Sequence, residues 1–240
     1  MPSHSLEFVE LTDWLWCLRT PIASCFAIRD GDGVVMVDAN VAGLGEAIID
    51  TLGRRLDLPS RSFPLRQVLL THAHADHYGS AHELASLTGA ELLGPAEEAD
   101  IFAGRRPRAE PQLSEWERPL FEQVMPLVEE PPPVTLDEEL RPGDSLDWEI
   151  GAELVASPGH TSGHLAVWIP SHRTLIAGDA IATRGDERPI VGVFNVEPDA
   201  AKLTAKSLLD ELQPMRLCVA HGESVVGDVQ SRFRMPDGNE

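Results

Sequence analysis

From Thr71 to His77 the chain reads Thr-His-Ala-His-Ala-Asp-His, so three imidazoles and one carboxylate fall within six residues. Imidazole nitrogen and carboxylate oxygen together are ligands for a divalent transition metal, and a set this dense serves packing poorly. The chemistry to expect is an activated water working beside a polarised carbonyl. Three further residues share one feature with this cluster, since each directly follows an apolar run. His160 follows Leu154-Val155-Ala156-Ser157-Pro158-Gly159, Asp179 follows Leu175-Ile176-Ala177-Gly178, and His221 follows Leu217-Cys218-Val219-Ala220. A lone histidine after a strand is weak evidence for a ligand. Several ligands delivered from strand ends converge if those ends lie at the same rim of the sheets, and that shared placement is the main inference.

The elements that must position these residues can be read from periodicity. Residues 67–71 are short, apolar and β-branched, as in a fully buried strand. If that geometry persists a little further, His72 and His74 point to the same side, because side chains alternate with a period of two. A helical pattern from His77 to Leu87 stops at Gly89, which places the turn between Asp76 and His77 and sends the second pair towards a neighbouring position. Upstream, residues 14–18, 24–28 and 34–38 are separated by a Thr20-Pro21 break and an Asp30-Gly31-Asp32-Gly33 turn, the signature of an antiparallel meander. An amphipathic stretch follows at 44–58. The second half repeats the order in outline, with strands at 154–156, 165–169 and 174–177, a helix from Pro198 to Gln213, and a last strand at 216–220.

Two β-rich halves with helices between them predict a mixed α/β (α+β) fold, two sheets packed face to face and covered outside by helices. A chain of 240 residues with 42% hydrophobic content suits one substantial core, so residues 1–240 are expected to form a single domain. The stretch at about 95–143 differs in character, being rich in proline, glutamate and arginine, and is expected to be a helical insertion. Its helix candidate, 114–130, is interrupted by Pro119 and Pro126. It serves either as a wall or lid over the metal site or as a cover for the core.

The net charge of −20 opposes nucleic acid and anionic membranes, both of which attract basic surfaces. A bound pair of cations would reverse the sign locally and could hold a small anion. The first residues lack the basic start and apolar stretch of a signal peptide, and no apolar run reaches membrane-spanning length. The expectation is a cytoplasmic enzyme acting on a small molecule, with its oligomeric state left open. Cys17, Cys25 and Cys218 are too few and too scattered for a disulfide framework, and read as small buried hydrophobes.

Through His72-Ala73-His74-Ala75-Asp76-His77, Pro158-Gly159-His160-Thr161-Ser162-Gly163-His164, Ala177-Gly178-Asp179 and Ala220-His221-Gly222, the chain resembles the metallo-β-lactamase-fold hydrolase superfamily from residue 14 to about 225. The resemblance implies an αββα four-layer sandwich. It further implies a dinuclear centre in which His72, His74 and His160 hold the first metal, Asp76, His77 and His221 the second, and Asp179 bridges both. Zinc is the first expectation for these two divalent ions, with Fe²⁺ or Mn²⁺ compatible with the ligand chemistry. Two metals about 3.5–4 Å apart would acidify a bridging water to a pKa of roughly 7, and Asp76 would orient the resulting hydroxide and pass a proton to the leaving group. His164 belongs to the matched stretch but is expected behind the ligands, which already fill the site. His4, His82 and His172 read as surface residues, and Tyr78 as helix packing.

Departures from the family's branches narrow the reaction. β-Lactamases of the superfamily generally lack the bridging aspartate, so Asp179 argues against lactam hydrolysis. Glyoxalase II enzymes carry leucine and phenylalanine after this aspartate and a basic C-terminal helical domain, whereas Asp179 is followed by Ala180-Ile181-Ala182-Thr183 and the chain ends soon after His221. The acidic balance disfavours the nuclease branches, and 240 residues leave no room for the electron-transfer domain of flavodiiron proteins. The expectation is a dinuclear metal-dependent hydrolase of an ester, lactone or thioester. One alternative is a mononuclear iron enzyme resembling persulfide dioxygenases, and a second is a non-catalytic metal-binding protein. Because ligand imidazoles must be neutral, metal affinity should fall as pH drops through about 6.5.

Overall fold

The computed structural model describes residues 5–185 and 187–235. By its contacts the chain divides into two compact units, one running up to Pro107 and taking in Val128–Leu140, the other made of Arg108–Leu127 and the residues from Arg141 onward. Of the stretch expected as an insertion, residues 95–107 and 128–140 fall in the first unit and 108–127 and 141–143 in the second.

The first unit is built on a seven-stranded sheet in sequential order, β1 (Glu7–Glu10), β2 (Leu15–Arg19), β3 (Ser24–Asp30), β4 (Gly33–Val37), β5 (Leu65–Leu69), β6 (Glu91–Pro95) and β7 (Glu138–Leu140). Strands β2 to β4 form the expected antiparallel meander, β1 adds an antiparallel strand ahead of it that the periodicity did not show, and β4 to β7 then run parallel. Helices α1 (Gly45–Leu56), α2 (Ala75–Tyr78), α3 (Ala81–Thr88) and α4 (Ala99–Phe102) complete it. One face of the meander, with Trp16, Leu18, Cys25, Ala27, Val34 and Met36, shares a core with Ile48, Ile49 and Leu52 of α1. The alternate residues Phe26, Ile28, Val35 and Val37 are equally buried. A sheet covered on both faces needs unbroken apolar runs, which is what these strands supply. Because β4 and β5 are parallel, with Val37 beside Leu69, Asp38 and the residues after Leu69 leave the sheet at the same edge.

The second unit contains α5 (Glu117–Val124), β8 (Ser145–Leu146), β9 (Ala152–Ala156), β10 (Leu165–Ile169), β11 (Thr174–Ile176), β12 (Ile181–Arg184), β13 (Arg188–Val191), α6 (Pro198–Leu212), β14 (Arg216–Cys218), β15 (Val225–Val226) and α7 (Val229–Arg232). Its main sheet has the order β15-β14-β11-β10-β9-β8, and β12 and β13 form a separate hairpin. Ala201, Ala205, Leu208 and Leu209 of α6 pack into one core with Leu175, Leu217 and Val219. The helix opens with Pro198 in its first turn and closes on Gln213 in the left-handed conformation, just before Pro214. Strands β11 and β14 are parallel, and β10 runs antiparallel to both β9 and β11. The β9–β10 loop, the end of β11 and the end of β14 consequently share one edge of the sheet.

Three local expectations change. Strand β5 ends at Leu69, two residues short of Thr71, because the chain leaves the ladder once Thr71 turns to Asp38. The bend falls at His74, which is extended and caps α2, so Asp76 and His77 lie together in one helical turn rather than on either side of a turn. The helix expected at 114–130 shortens to α5 and a 3-10 turn, Met125–Leu127. Pro119 sits in the first turn of α5, where a missing N–H breaks no helical bond, and Pro126 occupies the 3-10 turn. No helix among the described residues is long and apolar enough to cross a membrane.

Candidate metal centre

In the first unit the loop after β5 brings His72, His74, Asp76 and His77 together. His72 Nε2 lies 3.0 Å from His74 Nδ1, and the His72 and His77 rings have centroids 4.1 Å apart and are tilted by 51°. His77 Nε2 is 3.9 Å from Asp76 Oδ2. Asp38 stands behind this group. Its carboxylate accepts the Thr71 backbone N–H at 2.8 Å and has the Thr71 hydroxyl 3.0 Å from both oxygens. A carboxylate of this kind accepts only, so the hydroxyl donates to it and must itself accept from His72 Nδ1, 3.0 Å away. His72 Nε2 is left with its lone pair aimed at His74. Asp38 Oδ2 also receives His77 Nδ1–H at 2.8 Å, which leaves the His77 Nε2 lone pair on the side of Asp76. One buried carboxylate thus sets the tautomer of two imidazoles. Glu98, 1% exposed, accepts the Ala73 N–H at 2.7 Å and pins the backbone between His72 and His74.

In the second unit Asp179 lies between two imidazoles, with Oδ2 at 3.3 Å from His160 Nε2 and 3.2 Å from His221 Nε2. The Val193 carbonyl accepts His160 Nδ1–H at 3.0 Å. His160 Nε2 therefore points at a carboxylate oxygen, a pairing that a bound cation would satisfy. His164 holds the aspartate from behind. Its Nε2 accepts the Asp179 backbone N–H at 3.0 Å, so the proton is on Nδ1 and is donated to Ser157 Oγ at 2.7 Å. The donor types present, imidazole nitrogens beside carboxylate oxygens, are those that hold a divalent metal ion.

Every residue named as a ligand from the sequence falls in one of these two sets, and His164 takes the place behind them that was expected of it. His82 and His172 are exposed, while His4 lies outside the described residues. Tyr78 packs edge to face against Phe102 and donates to Glu130 at 3.3 Å. All three cysteines are buried. Sequence reasoning passed over Asp38, although an acid closing a wholly apolar strand is a usable signal. Glu98 gave none, since it stands among other acidic residues in polar sequence.

The family model described as the Metallo-beta-lactamase superfamily matches residues 19–221. The chain belongs to the metallo-beta-lactamase superfamily. It is thereby a metal-dependent hydrolase by class, with the superfamily's αββα fold. Among relatives it is 27% identical over 211 residues to "Probable metallo-hydrolase YybB" of Bacillus subtilis (strain 168), covering 87% of this chain and 84% of that one. It is 30% identical over 136 residues to a hydroxyacylglutathione hydrolase of Rhodobacter capsulatus, a match covering 56% of this chain and 41% of that enzyme. A metallo-beta-lactamase from Pontibacter korlensis has the same fold, with a TM-score of 0.66 at 16% identity over 95% of both chains.

Proposed function

We propose that the two ligand sets serve one dinuclear centre that hydrolyses an ester, lactone or thioester of a small molecule in the cytoplasm. In this assignment His72, His74 and His160 would hold one metal, Asp76, His77 and His221 the other, and Asp179 would serve both. Zinc is the favoured metal. The observation that carries the reading is the hydrogen-bonding behind the imidazoles: Thr71, Asp38 and the Val193 carbonyl accept from Nδ1 of His72, His77 and His160, which turns each Nε2 towards another member of the set. Superfamily membership supports the ligand pattern, and the net charge of −20 supports a small substrate over a nucleic acid.

Divalent ions bound there would supply Lewis acidity and lower the pKa of a water to roughly 7. Asp76, half-buried beside His77, is the residue for proton transfer. It accepts a proton as the water oxygen bonds to the acyl carbon, and returns that proton to the alkoxide or thiolate as the acyl bond to oxygen or sulfur breaks. His164 and Asp38 keep the ligands in register while charge redistributes.

Elemental analysis of protein purified without added metal, paired with a panel of lactones and thioesters, tests the proposal. The thioester arm is motivated by the relative named hydroxyacylglutathione hydrolase. Two zinc or manganese ions per chain with turnover is the expected result. One iron per chain, with oxygen consumption and no hydrolysis, overturns it.

A further inference from the structure

Between β13 and α6 the second unit carries a short irregular strap, residues 192–197, laid against His160. The Val193 carbonyl accepts the His160 Nδ1–H, and the backbone N–H groups of Val196 and Glu197 donate to the carbonyls of His160 and Gly159 at 3.1 and 2.8 Å. Gly192 approaches so closely that a Cβ there would collide with the Asp179 carbonyl oxygen. Phe194 sits in the left-handed region with φ 59°, a conformation that costs a bulky side chain energy and persists only when its surroundings hold it.

What holds it is the start of α5. Glu117 is 8% exposed, so its carboxylate must be well satisfied. Oε2 accepts from Ser114 N and Oγ at 2.9 and 2.6 Å, closing the turn that leads into the helix. Oε1 reaches across 77 residues of sequence to accept the Phe194 N–H at 2.9 Å. One turn further on, Phe121 packs edge to face on the Phe194 ring at 5.1 Å. Gln112 adds two bonds of 2.8 Å, from its backbone N–H to the Asn195 carbonyl and from its side-chain amide to the Val196 carbonyl. Closing the turn that leads into α5 needs only one of the two carboxylate oxygens. The other is given to the strap.

We propose that Glu117 is a positioning residue for metal binding: by gripping the Phe194 amide it holds the adjacent Val193 carbonyl where it fixes the His160 ring and its tautomer. The proposal rests on the reading of His160 as a metal ligand. Fixing a ligand from behind is worth about 10- to 100-fold in metal affinity where it has been tested by mutation. The effect should fall on the metal that His160 holds and spare the other, whereas a purely structural role would lower thermal stability and loosen both metals alike.

The test titrates apo-protein with Zn²⁺ against a chromophoric chelator and with Co²⁺ by its visible absorption, alongside thermal unfolding. Glu117→Ala is expected to weaken one of the two sites about tenfold and to change its cobalt spectrum, while Glu117→Gln, which keeps a carbonyl facing Phe194, restores most of the affinity. If Glu117→Ala does not fold, Glu117→Asp, one methylene shorter, replaces it with the same expectation. His160→Ala is the control for the underlying reading. Loss of a metal in His160→Ala with unchanged affinity in the Glu117 variants overturns the positioning role, whereas full metal retention in His160→Ala overturns the ligand assignment itself.

Discussion

At Asp38 one carboxylate receives the His77 Nδ1–H, the Thr71 N–H and the Thr71 hydroxyl, so two imidazoles take their orientation from a single point. Asp38→Ala leaves those donors buried without their acceptor. A loss of about 3 kcal/mol in metal-free stability by urea unfolding is expected, with metal affinity down by about 10- to 100-fold. Wild-type values for both would remove Asp38 from the site. Asp76 has the opposite profile, since its proposed work is proton transfer. Asp76→Asn should lower kcat by about 100-fold or more, and a variant that keeps both metals and the full rate refutes that role. Cys25 shows what the same neighbourhood does to an unused group. Burial, then the neighbouring Cys17 and Asp38, push its thiol well above the ordinary value, so its reactive thiolate form is suppressed at neutral pH. Native protein should resist alkylation at Cys25 near pH 8, and unfolded protein should not, as peptide mass analysis would show.

At the scale of elements, the proposed ligands sit on loops and in the short helix α2, and the strands serve to deliver them. Parallel pairing of β4 with β5 sets Asp38 beside the His72 loop, and parallel pairing of β11 with β14 sets Asp179 beside His221. These loops tolerate little change where backbones meet. Adding a methyl group at Gly192 forces the strap away from the Asp179 carbonyl, and Gly192→Ala is expected to cost about 1–3 kcal/mol, read as a lowered melting temperature. An unchanged melting temperature would mean that the strap yields without strain. Apolar periodicity made the meander, α1, β10 and α6 legible from the residues alone. It could not reveal β7, β8 or β15, two or three residues each, because so short a span carries less than two periods of a strand pattern and takes its structure from a neighbour already in place.

For the molecule as a whole, metal and stability are linked. Metal that binds the folded chain alone adds RT ln(1 + [L]/Kd), about 4 kcal/mol at a thousandfold excess over Kd. For a chain of this size that corresponds to a melting temperature lowered by roughly 8–16 °C on stripping with a chelator. The direction is reinforced by the charge of −20, since bound cations offset self-repulsion. Bound imidazoles must be neutral, so the metal-bound form carries fewer protons and acidification favours release. The melting temperatures of metal-loaded and stripped protein should therefore converge as pH falls, and a constant gap in thermal scans down to about pH 5, below the ordinary imidazole pKa, would contradict histidine ligation.

The residue types pointed to metal-dependent chemistry before any fold was known, because candidate metal ligands announce themselves by chemistry and by their place after apolar runs. His72, His74, Asp76, His77, His160, Asp179 and His221 were all readable in this way. What orients them was not. Asp38 meets Thr71 across 33 residues and His77 across 39, and Glu117 meets Phe194 across 77. Hydrogen bonds between distant segments leave no periodic trace, so only the paired strands and packed loops decide which acid stands behind which imidazole. The bend at His74 was decided there as well. Extended geometry did not carry on past Leu69 to align His72 with His74; their nitrogens meet at 3.0 Å because Asp38 and Glu98 hold the loop between them.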